Sequence, residues 1–189
     1  MSEDHDEETV LARELAAVMD SLLSPVVPQA SLLARLQATI AAPPLRYAPF
    51  YDRIAELFDL PEAAVVEQLT RLADPQVWRF AGLPGVRTLT VKGGPRVAGA
   101  ETVLARFAPG TRFPQHRHAG HEKVLVLEGS YTDSEGVEHR AGELREWPAG
   151  SKHSFRVSKS EVCIFASVVY GREFEALPLR LLARALGRG

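Results

Sequence analysis

The sequence predicts a mainly β protein in which a helical segment precedes a small β-sandwich or barrel. Apolar residues recur at helical spacing as far as about Asp74. Beyond Asp74-Pro75, short runs rich in Val, Leu, Phe and Thr alternate with Gly, Pro and Asp at hairpin spacing. A chain of 189 residues, 46% of them hydrophobic, suffices for one full domain with a helical appendage.

The elements follow in order. Leu11, Leu15, Val18 and Leu22 form one apolar stripe on a helix from about Glu8 to Leu23, ended by Ser24-Pro25. Leu32, Leu33, Leu36 and Ile40 mark a second helix, stopped before Pro43-Pro44. Phe50, Ile54, Leu57 and Phe58 mark a third, with Pro49 near its first turn. Asp59-Leu60-Pro61-Glu62 reads as the start of a fourth, capped by Asp59 and burying Val65, Leu69 and Leu72. Strands are predicted over Val86–Val91, Thr102–Phe107, Lys123–Leu127, His153–Val157 and Val162–Tyr170, with a hairpin tip at Glu135-Gly136. A short helix is predicted from Leu177 to Leu186. The expected organisation is therefore a helical domain over 1–74, a β domain over 75–172 and a helical tail over 173–189.

Composition excludes several classes of function. The 22 Lys and Arg nearly balance the 24 Asp and Glu, which argues against broad attraction to nucleic acid or anionic lipid. A single cysteine cannot form an internal disulfide. The acidic start, Ser2 to Glu8, is unlike the basic n-region of a secretory signal. No uncharged apolar run approaches the roughly 18–20 residues that span a bilayer. A soluble, cytoplasmic protein is expected, with no membrane and no direct nucleic-acid partner.

Five of the six histidines lie between positions 116 and 153. His116 and His118, at i and i+2 of a strand, project to one face. Glu122 follows across a short turn, and His153 arrives from a later strand. Three imidazoles and a carboxylate suit one divalent first-row metal, with zinc, manganese, iron, nickel and cobalt all open. His121 alternates away from that face and is expected in solvent or just behind the ligands; His139, past the hairpin tip, is expected to be exposed.

Two blocks carry a family resemblance. Gly110, His116, His118, Glu122 and Gly129, then Gly142, Pro148, Gly150 and His153, stand at the spacings of the two cupin motifs. Every position of the first block is matched. The second is matched through His153, but its final Asn is Val157 here. The resemblance implies a cupin barrel of two packed antiparallel sheets with a metal held by His116, His118, Glu122 and His153. In finer detail, Arg112 to His118, Glu122 to Asp133 and Pro148 to Phe155 resemble the cupin domain of ChrR-type anti-sigma factors. In that family a helical domain grips an alternative sigma factor, and the zinc-bound cupin is needed for its release under oxidative stress. The family's helical domain carries a second zinc on a His-x3-Cys-x2-Cys motif; this chain has no cysteine before Cys163, so that site is absent.

Phe50 to Leu72 has the look of a helix-turn-helix, yet the stretch from Phe50 to Asp74 holds six acids against two bases, too few cations for phosphate contacts. An acidic bundle suits a basic protein partner better. Cys163 lies in the apolar run Val162 to Ala166 and reads as a core thiol, with a redox residue near the metal as the alternative. The basic run Arg172, Arg180, Arg184 and Arg188 reads as a solvated helix face.

Two functions are therefore expected. In one, the protein is a metal-binding regulator that senses an oxidant or small molecule and acts through a sigma factor or other protein on its helical half. In the other, it is a metal-dependent dioxygenase, lyase or isomerase on a small oxygenated substrate. Dimerisation through sheet packing is compatible with both.

Overall fold

Two antiparallel sheets face each other across the β half of the molecule, in a computed structural model that describes residues 13–19, 30–41 and 43–174. The chain divides into two units, 1–40 and 41–189. In the first, residues 13–19 are helical, and α1 (Ala30–Ala41) begins the next helix. The large apolar side chains Leu15, Val18, Met19, Leu32, Leu33 and Leu36 are all exposed there. The rest of the predicted first helix and the predicted helix over Leu177–Leu186 lie outside the described residues.

The second unit opens with α2 (Pro43–Arg46), α3 (Tyr51–Phe58) and α4 (Glu62–Arg71). Ile54, Leu57 and Phe58 of α3, with Val65 and Leu69 of α4, form the buried stripe that the periodicity predicts. Asp59 does not cap α4. It ends α3 in the left-handed conformation, φ 55°, which a short polar side chain tolerates. Its carboxylate accepts bonds from the backbone N–H and the Nε of Arg96, at 2.9 and 2.7 Å. Asp59 is too far committed to that loop to serve the helix; Pro61 occupies the cap position without a side-chain bond.

The strands are β1 (Arg79–Phe80), β2 (Val86–Thr90), β3 (Glu101–Phe107), β4 (Arg112–His118), β5 (Glu122–Glu128), β6 (Ser130–Asp133), β7 (Glu138–Arg140), β8 (Leu144–Trp147), β9 (Lys152–Val157), β10 (Cys163–Val169) and β11 (Arg172–Phe174). Six form one sheet, in the order β1-β2-β3-β10-β5-β8, and five the other, β11-β4-β9-β6-β7. This is the mainly β architecture expected.

β10 is buried on both faces. Ile164, Ala166 and Val168 point outward and pack with Leu104, Leu125 and the helices. Cys163 and Phe165 point inward and pack with Phe107, Phe113, Val126 and Tyr131 in the barrel core. A continuous apolar run is what a strand covered on both sides requires.

Two irregularities in pairing re-aim side chains. β4 slips relative to β9 between Phe113 and His116, so that Phe113 faces Phe155 and His116 faces His153. Pro114 lies within that slip, where a missing N–H breaks no ladder bond. The extra residue lets Phe113, His116 and His118 all point inward despite their mixed spacing. β5 slips relative to β10 between Ile164 and Phe165. Glu122 therefore faces the barrel, while Glu128 stands beside outward-facing Ile164 and takes a hydrogen bond from the Tyr47 hydroxyl at 2.9 Å. Arg46 pairs with the same carboxylate at 2.5 Å.

Candidate metal centre

The pairing of β4 with β9 places His116 opposite His153, and strand alternation puts His118 on the same inner face. Glu122 begins β5 in the facing sheet. All four residues are buried, and one ligating atom from each lies within 4.8 Å of the others. The Nε2 atom of His153 stands 2.8 Å from that of His116 and 3.2 Å from that of His118. Oε2 of Glu122 lies 3.1 Å from His118 Nε2 and 3.5 Å from His153 Nε2.

The electrostatics fit a cation. Burial, followed by the neighbouring His153 and Arg172, pushes the pKa of His116 down to about 3, well below the ordinary 6.5. Burial, with His118 and Arg172 opposing Glu122, holds His153 at about 4. For Glu122, burial pushes upward, but the His118 hydrogen bond and the charges of Arg172, His118 and His153 prevail and hold it at about 2. Neutral imidazoles with free lone pairs and one ionised carboxylate are the donors that a divalent first-row ion takes. His116 is oriented by its Nδ1–H, which donates to the Pro114 carbonyl at 2.9 Å and leaves Nε2 for the centre. Three Nε2 atoms facing one another cannot all be satisfied by hydrogen bonds among themselves; a shared cation satisfies all three. These residues could hold a metal.

Sequence reasoning missed three neighbours. The Ser167 hydroxyl, fully buried, donates to Glu122 Oε1 at 3.2 Å. A polar residue inside the apolar run of β10 was the available signal. Trp147 packs edge-on to His153 at 4.2 Å between ring centres. Arg172 is on β11, not on a solvated helix: β11 pairs with β4, setting Arg172 beside His118. Its Nη2 lies 3.6 Å from Glu122 Oε1, and its Nη1 3.7 Å from Glu101 Oε2. No local pattern announces a contact made by pairing with a strand more than fifty residues earlier.

The remaining histidines part company. His121 is exposed, with its ring against Tyr170 at 4.5 Å. His139 is buried rather than exposed, because it pairs in register with Tyr131, whose ring lies inside the barrel. Cross-strand partners share a face. His139 Nε2 lies 2.9 Å from Asp133 Oδ2, and Asp133 Oδ1 accepts the backbone N–H groups of Glu135 and Val137 that close the hairpin. Cys163 is fully buried in the barrel core, and burial pushes its thiol up to about 12.

A cavity of about 50 Å³ opens between the sheets and reaches His116 and Glu122. Its walls are largely apolar, with Arg172, Glu101 and Thr88 as the other polar groups. Among the described residues, no helix is long and apolar enough to cross a membrane.

Comparison with known proteins places this geometry. Residues 70–170 match the family described as the ChrR Cupin-like domain. Among solved structures, Rhodobacter sphaeroides SigE in complex with the anti-sigma ChrR aligns at 27% identity and a TM-score of 0.50, covering 87% of this chain and 81% of that one. An RmlC-like cupin protein from Ralstonia eutropha JMP134 aligns at 22% identity and a TM-score of 0.48, covering 58% and 79% of the two chains. The polyketide cyclase RemF from Streptomyces resistomycificus aligns at 21% identity and a TM-score of 0.44, covering 57% and 83%. No curated protein matches the chain in sequence.

Proposed function

The chain belongs to the ChrR Cupin-like domain family, and from that footing we propose that it is a metal-binding regulator of the anti-sigma type. His116, His118, Glu122 and His153 hold one divalent cation, zinc before iron, manganese or nickel. The helical half contacts a sigma factor in the cytoplasm. One observation carries the reading: the alignment with the SigE–ChrR structure covers 87% of this chain, well beyond the β half alone.

The first unit supports it. Leu15, Val18, Met19, Leu32, Leu33 and Leu36 are exposed, an apolar presentation that suits a protein partner better than water. The chain lacks the cysteines of a second zinc motif, so this contact is made without one.

The bound cation supplies a cross-link among β4, β5 and β9 and a Lewis-acid centre. The chain's own residues prepare the site. Pro114 fixes the His116 tautomer, Trp147 holds the His153 ring, and Ser167 and Arg172 occupy Oε1 of Glu122, leaving Oε2 to the centre.

Co-expression with the alternative sigma factors of the source organism, followed by gel filtration, tests the partner. A one-to-one complex that survives purification is expected. Migration as the uncomplexed chain with every such factor defeats the sigma reading. The cavity that reaches His116 and Glu122 favours a second reading, a cupin enzyme acting on a small oxygenated substrate. Elemental analysis separates the two: one zinc per chain favours the regulator, and redox-active iron the enzyme.

A further inference from the structure

We propose that the cavity between the sheets binds a short aliphatic monocarboxylate, its carboxylate on Arg172 and its hydrocarbon end among the phenylalanines of the barrel. The proposal deepens the regulator reading, on which it rests for its biological use, by giving the small-molecule signal a chemical class.

The cavity is two-natured. Phe107, Phe113, Phe165, Val103 and Ala105 supply its apolar wall, and Arg172, Glu101, Thr88, His116 and Glu122 its polar groups. Such a surface fits a ligand with one charged end and one apolar end. Its volume, about 50 Å³, accommodates a few non-hydrogen atoms and excludes a long chain or a fused ring system.

Arg172 is an underused donor. Its Nε is buried without a hydrogen-bond partner among the described residues. Its Nη atoms stand 3.7 and 3.6 Å from Glu101 and Glu122, distances of charge pairing rather than of hydrogen bonds. A guanidinium presents a planar fork that a carboxylate meets with two parallel bonds. Its side chain is only 17% exposed, so such bonds would form largely out of water. Charge points the same way. With a divalent cation in the cluster, Arg172, Glu101 and Glu122 leave one surplus positive charge, which a monoanion cancels.

The test uses the metal-replete full chain and isothermal titration with butyrate, acetate, butan-1-ol and butylammonium. Saturable butyrate binding is expected, about tenfold tighter than acetate, because two further methylenes enter the apolar end. Butanol and butylammonium should each bind at least tenfold more weakly than butyrate. Arg172→Gln, compared with wild type after both are reconstituted to the same measured metal content, should weaken butyrate by tenfold or more. No saturable butyrate binding, or equal affinity for butyrate and butanol, overturns the proposal on the wild-type protein alone. Unchanged butyrate affinity in Arg172→Gln also overturns it, since the carboxylate would then be held elsewhere. A protein with one metal per chain and a sigma partner but no butyrate site would sink this proposal and leave the regulator reading standing.

Discussion

At the scale of single residues, the site is governed by protons as much as by geometry. His116 and His153 are held at about 3 and about 4 in the folded chain, against 6.5 when exposed. Between those values the unfolded state binds more protons than the folded one, so stability rises with pH. In metal-free protein this contribution is complete above about pH 6.5 and is lost as pH falls toward 4 and 3. Glu122, held at about 2, adds a loss in the same direction below its ordinary 4.5. The urea midpoint of chelated protein should therefore drop steadily from about pH 7 to pH 4, and less steeply in a His116→Ala, His153→Ala double variant. A midpoint flat over that range would contradict the burial of neutral imidazoles. Metal content gives a second check: His116→Ala, His118→Ala or His153→Ala should abolish stoichiometric metal, and exposed His121→Ala should not. The four converging residues were legible because strand alternation and motif spacing are local. Arg172 and His139 were not, because a strand pairing and a hairpin register decide where each side chain points.

At the scale of elements, the site depends on places where regular pairing breaks. Had β4 run without its slip, Phe113 and His116 would fall on opposite faces, since an odd spacing reverses a side chain. Pro114 hinted at such a break, but its register is a property of two strands and not of one. The junction after β5 is similar. Gly129 takes φ 70°, and a Cβ there would run into the Val162 carbonyl. The motif glycine is thus required twice over, by the left-handed turn and by the neighbouring backbone. Gly129→Ala should cost about 2–4 kcal/mol of unfolding free energy. Gly136→Ala, at a hairpin tip where a Cβ meets nothing within 4 Å, should cost markedly less. Denaturant titration of the pair checks this, and equal losses would show that clash plays no part. Strand existence was readable from turn residues and apolar runs; the capping of α4 was misread because Asp59 serves a loop thirty-seven residues away.

At the scale of the whole molecule, the question is whether the centre and the helices of the second unit respond as one body. β5 and β10 connect them physically. Glu122 at the start of β5 faces the centre, and Glu128 at its end holds Tyr47 and Arg46 on the outer side. β10 gives Ser167 to Glu122 on one face and Ile164, Ala166 and Val168 to the helix-covered core on the other. A close-packed interior transmits a change rather than absorbing it. The two tryptophans report the two sides separately: Trp147 lies against His153, and Trp78 is buried in the cluster shared by the helices and the outer sheet face. Fluorescence melts of Trp78→Phe and Trp147→Phe proteins should each show a single transition. Chelation should move both midpoints down by the same amount, because metal-binding energy is folding energy for the whole cooperative unit. A shift seen by Trp147 but not by Trp78 would mean that the helical layer unfolds independently of the centre. Loss of metal could then not be transmitted through the α3–α4 layer, and any signal would have to travel by another route.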